Sequence, residues 1–252
     1  MVYYKVLLDS IEREKASTDY YYSEADKVIL SELFKEINEY AGTNFQYLAE
    51  IEAFNIKGSG EIMARYITRF SSESVKGFMV PQLVSDKIKD CDQLILDLYL
   101  HFKASDEYIS EPGVPAPAHI YARYDNAFRK LKPKRLKEEL IKLAYNPRDA
   151  FYLPFTMRML ASWKIPELRE VLLSYLPVPD ITAQSVGICE DSNNYYPSLD
   201  YIKQGLGFTA IDGLKYYPSA EMCEIIRRYT TDSDPDIRAA ANKSLKTLSK
   251  SS

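Results

Sequence analysis

Histidine, cysteine and glycine are scarce in this 252-residue chain, which has two, three and nine of them. With only His101 and His119 as imidazole bases, few Ser/His/Asp or Cys/His arrangements are available for nucleophilic catalysis. Cys91, Cys189 and Cys223 are odd in number, lie far apart and form no CxxC pair, so neither a disulfide framework nor a zinc site is indicated. No P-loop, HExxH or EF-hand motif occurs. We therefore predict a protein that is not an enzyme and that uses no cofactor or metal.

Long uncharged apolar runs are also missing. Asp9 and Glu12 interrupt the first apolar stretch before it reaches the length of a signal peptide. No segment approaches the roughly 18 uncharged apolar residues that a transmembrane helix requires. We expect a cytoplasmic protein with no membrane partner.

Charge is distributed unevenly along the chain, although the formal net charge is only −4. Residues 1–125 contain 21 acidic and 13 basic residues, whereas residues 126–252 contain 15 and 19. The steepest feature is the segment 129–137, with six cations in nine residues. Such a run is typical of a solvated helix junction. The alternative is a phosphate-binding surface, whose residues would be Arg129, Lys130, Lys134, Arg135 and Lys137.

Helical periodicity dominates the chain, and alternation with period two is nearly absent. Ser23 is a candidate N-cap for a helix whose apolar residues recur every three or four positions, and Gly42 suits the left-handed stop that ends it. Similar spacing predicts a second helix from Ser85 to about Ala104, in which His101 takes a core or boundary position. We therefore predict an all-α fold.

Two proline-containing segments interrupt this pattern. Residues 105–117 have three prolines around a glycine, which exclude a helix and mark a possible sub-boundary. Residues 177–197 form the other, predicted as a long irregular loop of a length that is often functional. We expect residues 1–252 to form one array that these two segments interrupt.

A repeated unit occurs in the second half of the chain, and it consists of a helix, a proline-containing turn and a second helix. It occurs at 153–176 and again at 207–229, and a capped helix follows at 235–248. Fainter pairs precede these, and they are 45–56 with 59–70, 73–84 with 86–104, and 118–131 with 133–145.

The pattern DxDPDIRxAAxxxL at residues 232–245 resembles the first helix of a HEAT repeat. The resemblance is clearest over residues 150–249, and it implies an irregular α-solenoid of stacked antiparallel helix pairs, HEAT-like or armadillo-like. It also implies that Asp236 and Arg238 tie neighbouring turns together, with Arg158 as a looser match one repeat earlier. In such an array each pair contacts mainly its neighbours, and the second helices usually line a concave face.

Tyrosine is abundant, with 21 residues against ten Phe and one Trp. Its ring suits surfaces that meet both apolar groups and water, and it is enriched at protein interfaces. The clusters at 20–22, 195–196 and 216–217 therefore predict either interfaces or caps on the ends of helix pairs. The preferred contact patch combines the 177–197 loop with second-helix arginines, namely Glu190, Asp191, Tyr195, Tyr196, Arg169, Arg227 and Arg228.

These features favour a protein-binding module that holds one protein partner. Within this class we expect a small stand-alone inhibitor or adaptor, such as an immunity protein that neutralises a toxin enzyme. The alternative is nucleic-acid binding or DNA repair through the basic second half, since HEAT-like folds include DNA glycosylases. The low isoelectric point, about 5.4, disfavours this alternative because phosphate contacts supply most non-specific affinity.

Overall fold

A computed structural model describes residues 23–104, 118–176 and 199–250 of the chain. Every regular element within these ranges is an α-helix or a 3₁₀ helix, and no strand occurs among them. The predicted all-helical fold is thus confirmed for this part of the chain.

The described residues divide into two compact units. Unit 1 contains residues 23–104 and 119–131, and unit 2 contains residues 132–176 and 199–250. Ala118 is grouped with unit 2, and the chain passes from unit 1 to unit 2 between Leu131 and Lys132. The predicted sub-boundary at 105–117 and the predicted loop at 177–197 lie outside the described residues. That the two units belong to one array stays a prediction.

The described residues of unit 1 are mostly α-helical. Its helices are α1 (Glu24–Ala41), α2 (Leu48–Phe54), α3 (Ser59–Tyr66), α4 (Glu73–Ser85), α5 (Cys91–Ala104) and α6 (Ala118–Leu131), and a 3₁₀ turn (Ile67–Arg69) follows α3. Helix α3 contacts α1 and α4, while α4 also contacts α2 and α5.

The observed ends of α1 agree with those predicted from the sequence, whereas the observed start of α5 differs from the prediction. The Ser23 hydroxyl accepts a hydrogen bond from the backbone N–H of Asp26, and Gly42 ends the helix at φ 64°. The helix predicted to begin at Ser85 begins at Cys91, because Ser85 is the last residue of α4. Lys87 and Asp90 adopt φ values of 54° and 55°, and two left-handed residues break the helical path between α4 and α5.

Two carboxylates join helices of unit 1 that are distant in sequence. Buried Asp26 of α1 accepts hydrogen bonds from the backbone N–H of Ser71 at 2.8 Å and of Ser72 at 3.3 Å, just before α4. Asp86, after α4, accepts from the N–H groups of Gly58 at 3.1 Å and Gly60 at 2.7 Å. Each carboxylate satisfies free N–H groups at the start of another helix, where negative charge is favourable.

The core of unit 1 contains five aromatic residues that are fully buried. They are Tyr99 and Phe102 of α5 and Tyr121, Tyr124 and Phe128 of α6. Tyr99 meets Tyr124 edge-on at 5.3 Å between ring centroids, and Phe102 meets Tyr121 edge-on at 5.1 Å. Edge-to-face pairs of this kind stabilise a core beyond the apolar area they bury. Part of the tyrosine content therefore serves the interior rather than a surface.

Unit 2 begins with a 3₁₀ turn (Lys134–Leu136) and continues with seven described α-helices. They are α7 (Lys137–Ala144), α8 (Pro147–Tyr152), α9 (Pro154–Ser162), α10 (Pro166–Ser174), α11 (Leu199–Leu214), α12 (Ala220–Arg227) and α13 (Pro235–Leu248), and a second 3₁₀ turn (Arg228–Thr231) follows α12. Four of these helices start with proline, whose missing N–H costs nothing in the first turn. Of the two residues that the sequence offers as the cap of α13, Ser233 and Asp234, it is Asp234 that accepts hydrogen bonds from the N–H groups of Asp236 and Ile237.

Alternate helices contact one another in unit 2. Helix α7 contacts α9 and α10, which both contact α11, and α13 contacts α11 and α12. An ion-paired cluster reinforces the contact of α9 with α11. Asp212, whose side chain is 6% exposed, pairs with Arg158 of α9 and, at 2.5 Å, with Lys215 of its own helix. Arg238, which the resemblance to a HEAT repeat implied would tie neighbouring turns together, contacts the turn before its own helix. Its guanidinium donates to the backbone carbonyls of Asp232 and Ser233 there.

Candidate functional site

An open cleft of about 420 Å³ lies among α8, α11 and α13 of unit 2. Its lining is mainly aromatic and acidic, and comprises Phe151, Tyr201, Gln204, Gly205, Phe208, Asp234, Asp236 and Ile237. The volume falls in the range of small-ligand and side-chain pockets, which have mostly apolar walls and a few polar groups. This cleft is a candidate site in unit 2.

Aromatic rings form its walls because α8 and α11 approach closely. A Cβ at Gly205 would lie 2.5 Å from the Phe151 ring, so the absence of a side chain there makes room for that ring. Phe151 meets Tyr201 edge-on at 5.9 Å. Tyr201 is nevertheless 59% exposed. A large aromatic surface thus faces solvent at the mouth of the cleft.

Carboxylates occupy the opposite wall, at the start of α13. Asp234 uses one carboxylate oxygen to cap the helix, at 2.7 Å from the N–H of Asp236. Asp236 is itself exposed, in the first helical turn. Lys and Arg are missing from the described residues that line the cleft. An apolar stem with a cationic head fits this combination, since the stem packs on rings and the head meets the carboxylates.

The residues that the sequence predicted for protein binding are only partly described. Glu190, Asp191, Tyr195 and Tyr196 lie outside the described residues. Arg169 of α10 donates to Glu221 of α12 at 2.6 Å and to Glu170 at 2.7 Å, and Arg227 pairs with Glu224 at 2.7 Å. Arg228 is exposed directly after α12. Arg169 therefore joins α10 to α12 through an ion pair, on a surface where charges of both signs occur.

The tyrosine cluster at 216–217 is used internally at one of its two positions. The Tyr217 hydroxyl donates to the carbonyl of Ile165 at 2.8 Å, which links the α11–α12 turn to the α9–α10 turn. Tyr175, which directly follows α10, donates to the carbonyl of Ala144 at the end of α7, at 2.6 Å. The cap predicted for this cluster has its hydroxyls in solvent, and Tyr217 differs because its hydroxyl is bonded to a backbone carbonyl. The interface role stays a prediction.

The buried hydroxyl of Tyr217 should make unit 2 less stable in alkaline solution. Burial raises its pKa from 10.0 to about 12, because the phenolate is poorly solvated there. The unfolded chain ionises first as pH rises, so the stability that the neutral phenol contributes is complete below pH 10 and is lost towards pH 12. We expect Tyr217→Phe to lower the free energy of unfolding by about 1 kcal/mol at pH 8, because the hydrogen bond is lost. This difference between the two proteins should shrink above pH 10. Urea titrations followed by Trp163 fluorescence at pH 8 and pH 11 measure it, and a difference that does not change with pH would contradict it.

The basic run at 129–137 is divided between the two units. Arg129 and Lys130 are exposed on α6 of unit 1, where they line a groove with Arg123 and Asn126. Three further members of the run, Lys134, Arg135 and Lys137, are exposed in unit 2, around the 3₁₀ turn that precedes α7. Arg123 and Asn126 were missed from the sequence, although their spacing from Arg129 and Lys130 puts all four on one side of a helix.

A buried ion cluster on α4 and α5 of unit 1 was also missed. The Glu73 side chain is 1% exposed and lies 2.5 Å from the Lys76 ammonium, which is 4% exposed. His101 of α5 contacts the same Glu73 oxygen through Nδ1 at 2.7 Å, with a side chain that is 65% exposed. His101 is therefore exposed, not in the predicted core or boundary position, and the buried carboxylate orients its ring. The only signal for the Glu73–Lys76 pair in the sequence is that the two residues lie three positions apart, a spacing at which side chains meet on a helix.

Cysteine chemistry and metal binding find little support in the described part of the chain. Burial raises the pKa of Cys91 to about 12, which keeps this thiol protonated and unreactive near neutral pH. Cys223 is half-buried, and Cys189 lies outside the described residues. Within the described ranges, no three His, Cys, Asp or Glu side chains gather closely enough to hold a metal ion.

No described helix combines the length and the apolar character needed to cross a membrane. Comparison of the chain with known protein families, with characterised proteins and with solved structures finds no match. Any function assigned to the chain therefore rests on the chemistry of its own surfaces.

Proposed function

We propose that this chain is a non-enzymatic protein-binding module, and that the cleft among α8, α11 and α13 receives a basic segment of its partner. The observation that carries the proposal is Tyr201, a large aromatic side chain left 59% exposed beside the carboxylates of α13. Exposed tyrosines next to a pocket are typical of the few residues that dominate protein interfaces. A small inhibitor or adaptor, such as an immunity protein that blocks a toxin enzyme, is the role we favour.

Charge complementarity selects the occupant of the cleft. Its lining includes Asp234 and Asp236 and, among the described residues, no cation. A lysine or arginine of a protein partner would place its alkyl stem on Tyr201 and Phe151 and its charge near Asp236. An acidic or phosphorylated segment would instead meet repulsion there.

The arrangement of unit 2 supports a HEAT-like solenoid as the framework for this cleft. Helix α11 contacts α9 and α13, the alternate helices on either side of it in the chain, as stacking of successive pairs requires. Tyr175 and Tyr217 link the ends of successive pairs, and the Arg158–Asp212 pair joins the first helices of two pairs. The HEAT-like assignment is part of the proposal.

Replacing Tyr201 by alanine should weaken capture of the partner by about 30-fold, the effect of losing about 2 kcal/mol at an interface hot spot. Asp236→Asn should weaken it less, because the carboxamide keeps the shape and loses the charge. The immobilised full chain is exposed to native lysate treated with nuclease, and retained proteins are quantified by mass spectrometry.

Tyr145→Ala is the matched control, because Tyr145 is also in unit 2, is 60% exposed and does not line the cleft. A protein retained by the unaltered chain and by Tyr145→Ala, and lost with Tyr201→Ala, supports the proposal. Retention that Tyr201→Ala leaves unchanged contradicts the cleft as the binding site. Recovery of nucleic acid alone, without nuclease, released by salt and reduced by charge reversal at Lys134 and Lys137, would favour the nucleic-acid alternative.

A further inference from the structure

The residues of α11 that line the cleft of unit 2 recur at a helical spacing. Positions 201, 204, 205 and 208 lie three or four residues apart, so Tyr201, Gln204 and Phe208 share one face of the helix. Phe151 of α8 meets this face, with its ring at 76° to that of Tyr201. Apolar ring surface and one side-chain amide therefore form the same wall of the cleft.

The opposite wall has carboxylate oxygens that the described residues leave unused. Asp234 is held in place, because its Oδ1 accepts from the backbone N–H of Asp236 at 2.7 Å and of Ile237 at 3.2 Å. The other oxygen of Asp234 and both oxygens of Asp236 accept no hydrogen bond from a described residue. Arg238, a cation of the same helix, donates instead to backbone carbonyls of the turn before α13. Acceptors for a bound cation are thus available at two neighbouring positions.

An arginine head group matches this arrangement better than a lysine head group does. The guanidinium is planar and weakly hydrated, so it can lie on an aromatic ring while its N–H groups donate within its own plane. It has five such donors, and the cleft offers acceptors on Gln204, Asp234 and Asp236. A lysine ammonium is compact and strongly hydrated, so contact with the rings removes water that it holds tightly.

We propose that the cleft selects arginine over lysine, and that an arginine of the partner is its occupant. The guanidinium stacks on the rings of Tyr201 and Phe151 and donates to Asp236 and to the second oxygen of Asp234. This inference rests on the proposed function, because it requires that a basic segment enters the cleft. It adds the identity of the head group that is recognised.

A quaternary ammonium, as in trimethyllysine, fits the cleft less well. Such a head group is bound by aromatic rings and has no N–H group to donate. In this cleft the rings form one wall only, and the carboxylates of Asp234 and Asp236 would gain no hydrogen bond from it. A head group that both stacks and donates uses both walls.

The test is calorimetric titration of the full chain with four short peptides of identical sequence, which carry arginine, lysine, trimethyllysine or citrulline between flanking glycines. Citrulline keeps the planar shape of arginine and lacks its charge. We expect the arginine peptide to bind at least fivefold more tightly than the lysine and trimethyllysine peptides, and at least tenfold more tightly than the citrulline peptide. Asp236→Asn should weaken the arginine peptide about fivefold and leave the citrulline peptide nearly unchanged.

Glu138→Gln is the matched control, because it removes one exposed carboxylate from the first turn of α7, and Glu138 does not line the cleft. It should leave all four affinities unchanged. An equal loss of arginine binding in Glu138→Gln and Asp236→Asn would overturn the proposal, as would tighter binding of the trimethyllysine peptide.

Two further outcomes separate this inference from the proposed function. Equal affinities for arginine and lysine, both reduced in Tyr201→Ala, would overturn the selectivity and leave a basic segment as the occupant of the cleft. Absence of arginine binding at millimolar concentration would also overturn it, and the proposed function would stand if capture of the partner still depended on Tyr201. Loss of that dependence contradicts the proposed function itself.

Discussion

Replacing Glu73 by methionine should destabilise unit 1 by about 3–5 kcal/mol, the usual effect of removing one partner of a buried ion pair. The Lys76 ammonium would remain 4% exposed, with His101 Nδ1 at 3.4 Å in place of a carboxylate at 2.5 Å. Desolvation of that charge is the main source of the loss. Hydrogen exchange measured on peptides from α4 and α5 reports the free energy of opening in this unit.

The double variant Glu73→Met, Lys76→Met separates the charge from the packing. Both buried charges are then replaced by apolar side chains of similar length, so most of the stability should return. Lys76→Met alone should cost less than Glu73→Met, because Glu73 would keep His101 at 2.7 Å. If the double variant is as unstable as Glu73→Met, the loss arises from packing, and the electrostatic explanation is wrong.

Replacing Asp212 by alanine should destabilise unit 2 by about 3 kcal/mol, through the loss of two charge-assisted contacts from a buried carboxylate. Asp212 pairs with Arg158 and with Lys215, whose side chain is largely buried. Lys215 would keep its charge without that carboxylate, while Arg158, which is more exposed, would turn towards water. Trp163 is the only tryptophan of the chain and lies at the end of α9, so its fluorescence follows the unfolding of this unit.

Arg158→Met is the informative companion, since it removes the contact between α9 and α11 and leaves Asp212 paired with Lys215. It should cost no more than about 1–2 kcal/mol, because the guanidinium is partly exposed and screened by water. A loss as large as that of Asp212→Ala would mean that the contact between helices, rather than burial of the carboxylate, determines the stability.

Helix identity was predictable wherever the signal lay within one or two turns. Ser23 and Gly42 mark the ends of α1 because a cap depends on neighbouring backbone groups and on the local φ angle. Asp234 and Pro235 mark the start of α13 for the same reason. The predicted start of α5 was wrong because Lys87 and Asp90 adopt the left-handed conformation and interrupt the helix there. Neither residue type is a strong signal for that conformation.

The candidate sites were predictable only in part. Arg129 and Lys130 were identified from a linear run of charge, yet the groove that they line also includes Arg123, about two turns earlier, and Pro81 on another helix. Tyr201 carries no signal in the sequence. Its proposed role in binding depends on two neighbours in the folded chain. They are Phe151, whose ring packs against α11 because Gly205 has no side chain, and the acidic first turn of α13.

The sequence by itself determined that this chain is helical in its described parts, and it located most of the helices there. Periodicity and capping require interactions between residues only a few positions apart, so they can be read from sequence. Tertiary structure alone decided which surfaces form. The contacts of Asp26 with Ser71, and of Arg169 with Glu221, join residues 45 and 52 positions apart. Such partners are chosen by how whole helices pack against one another, and local spacing contains no record of that packing.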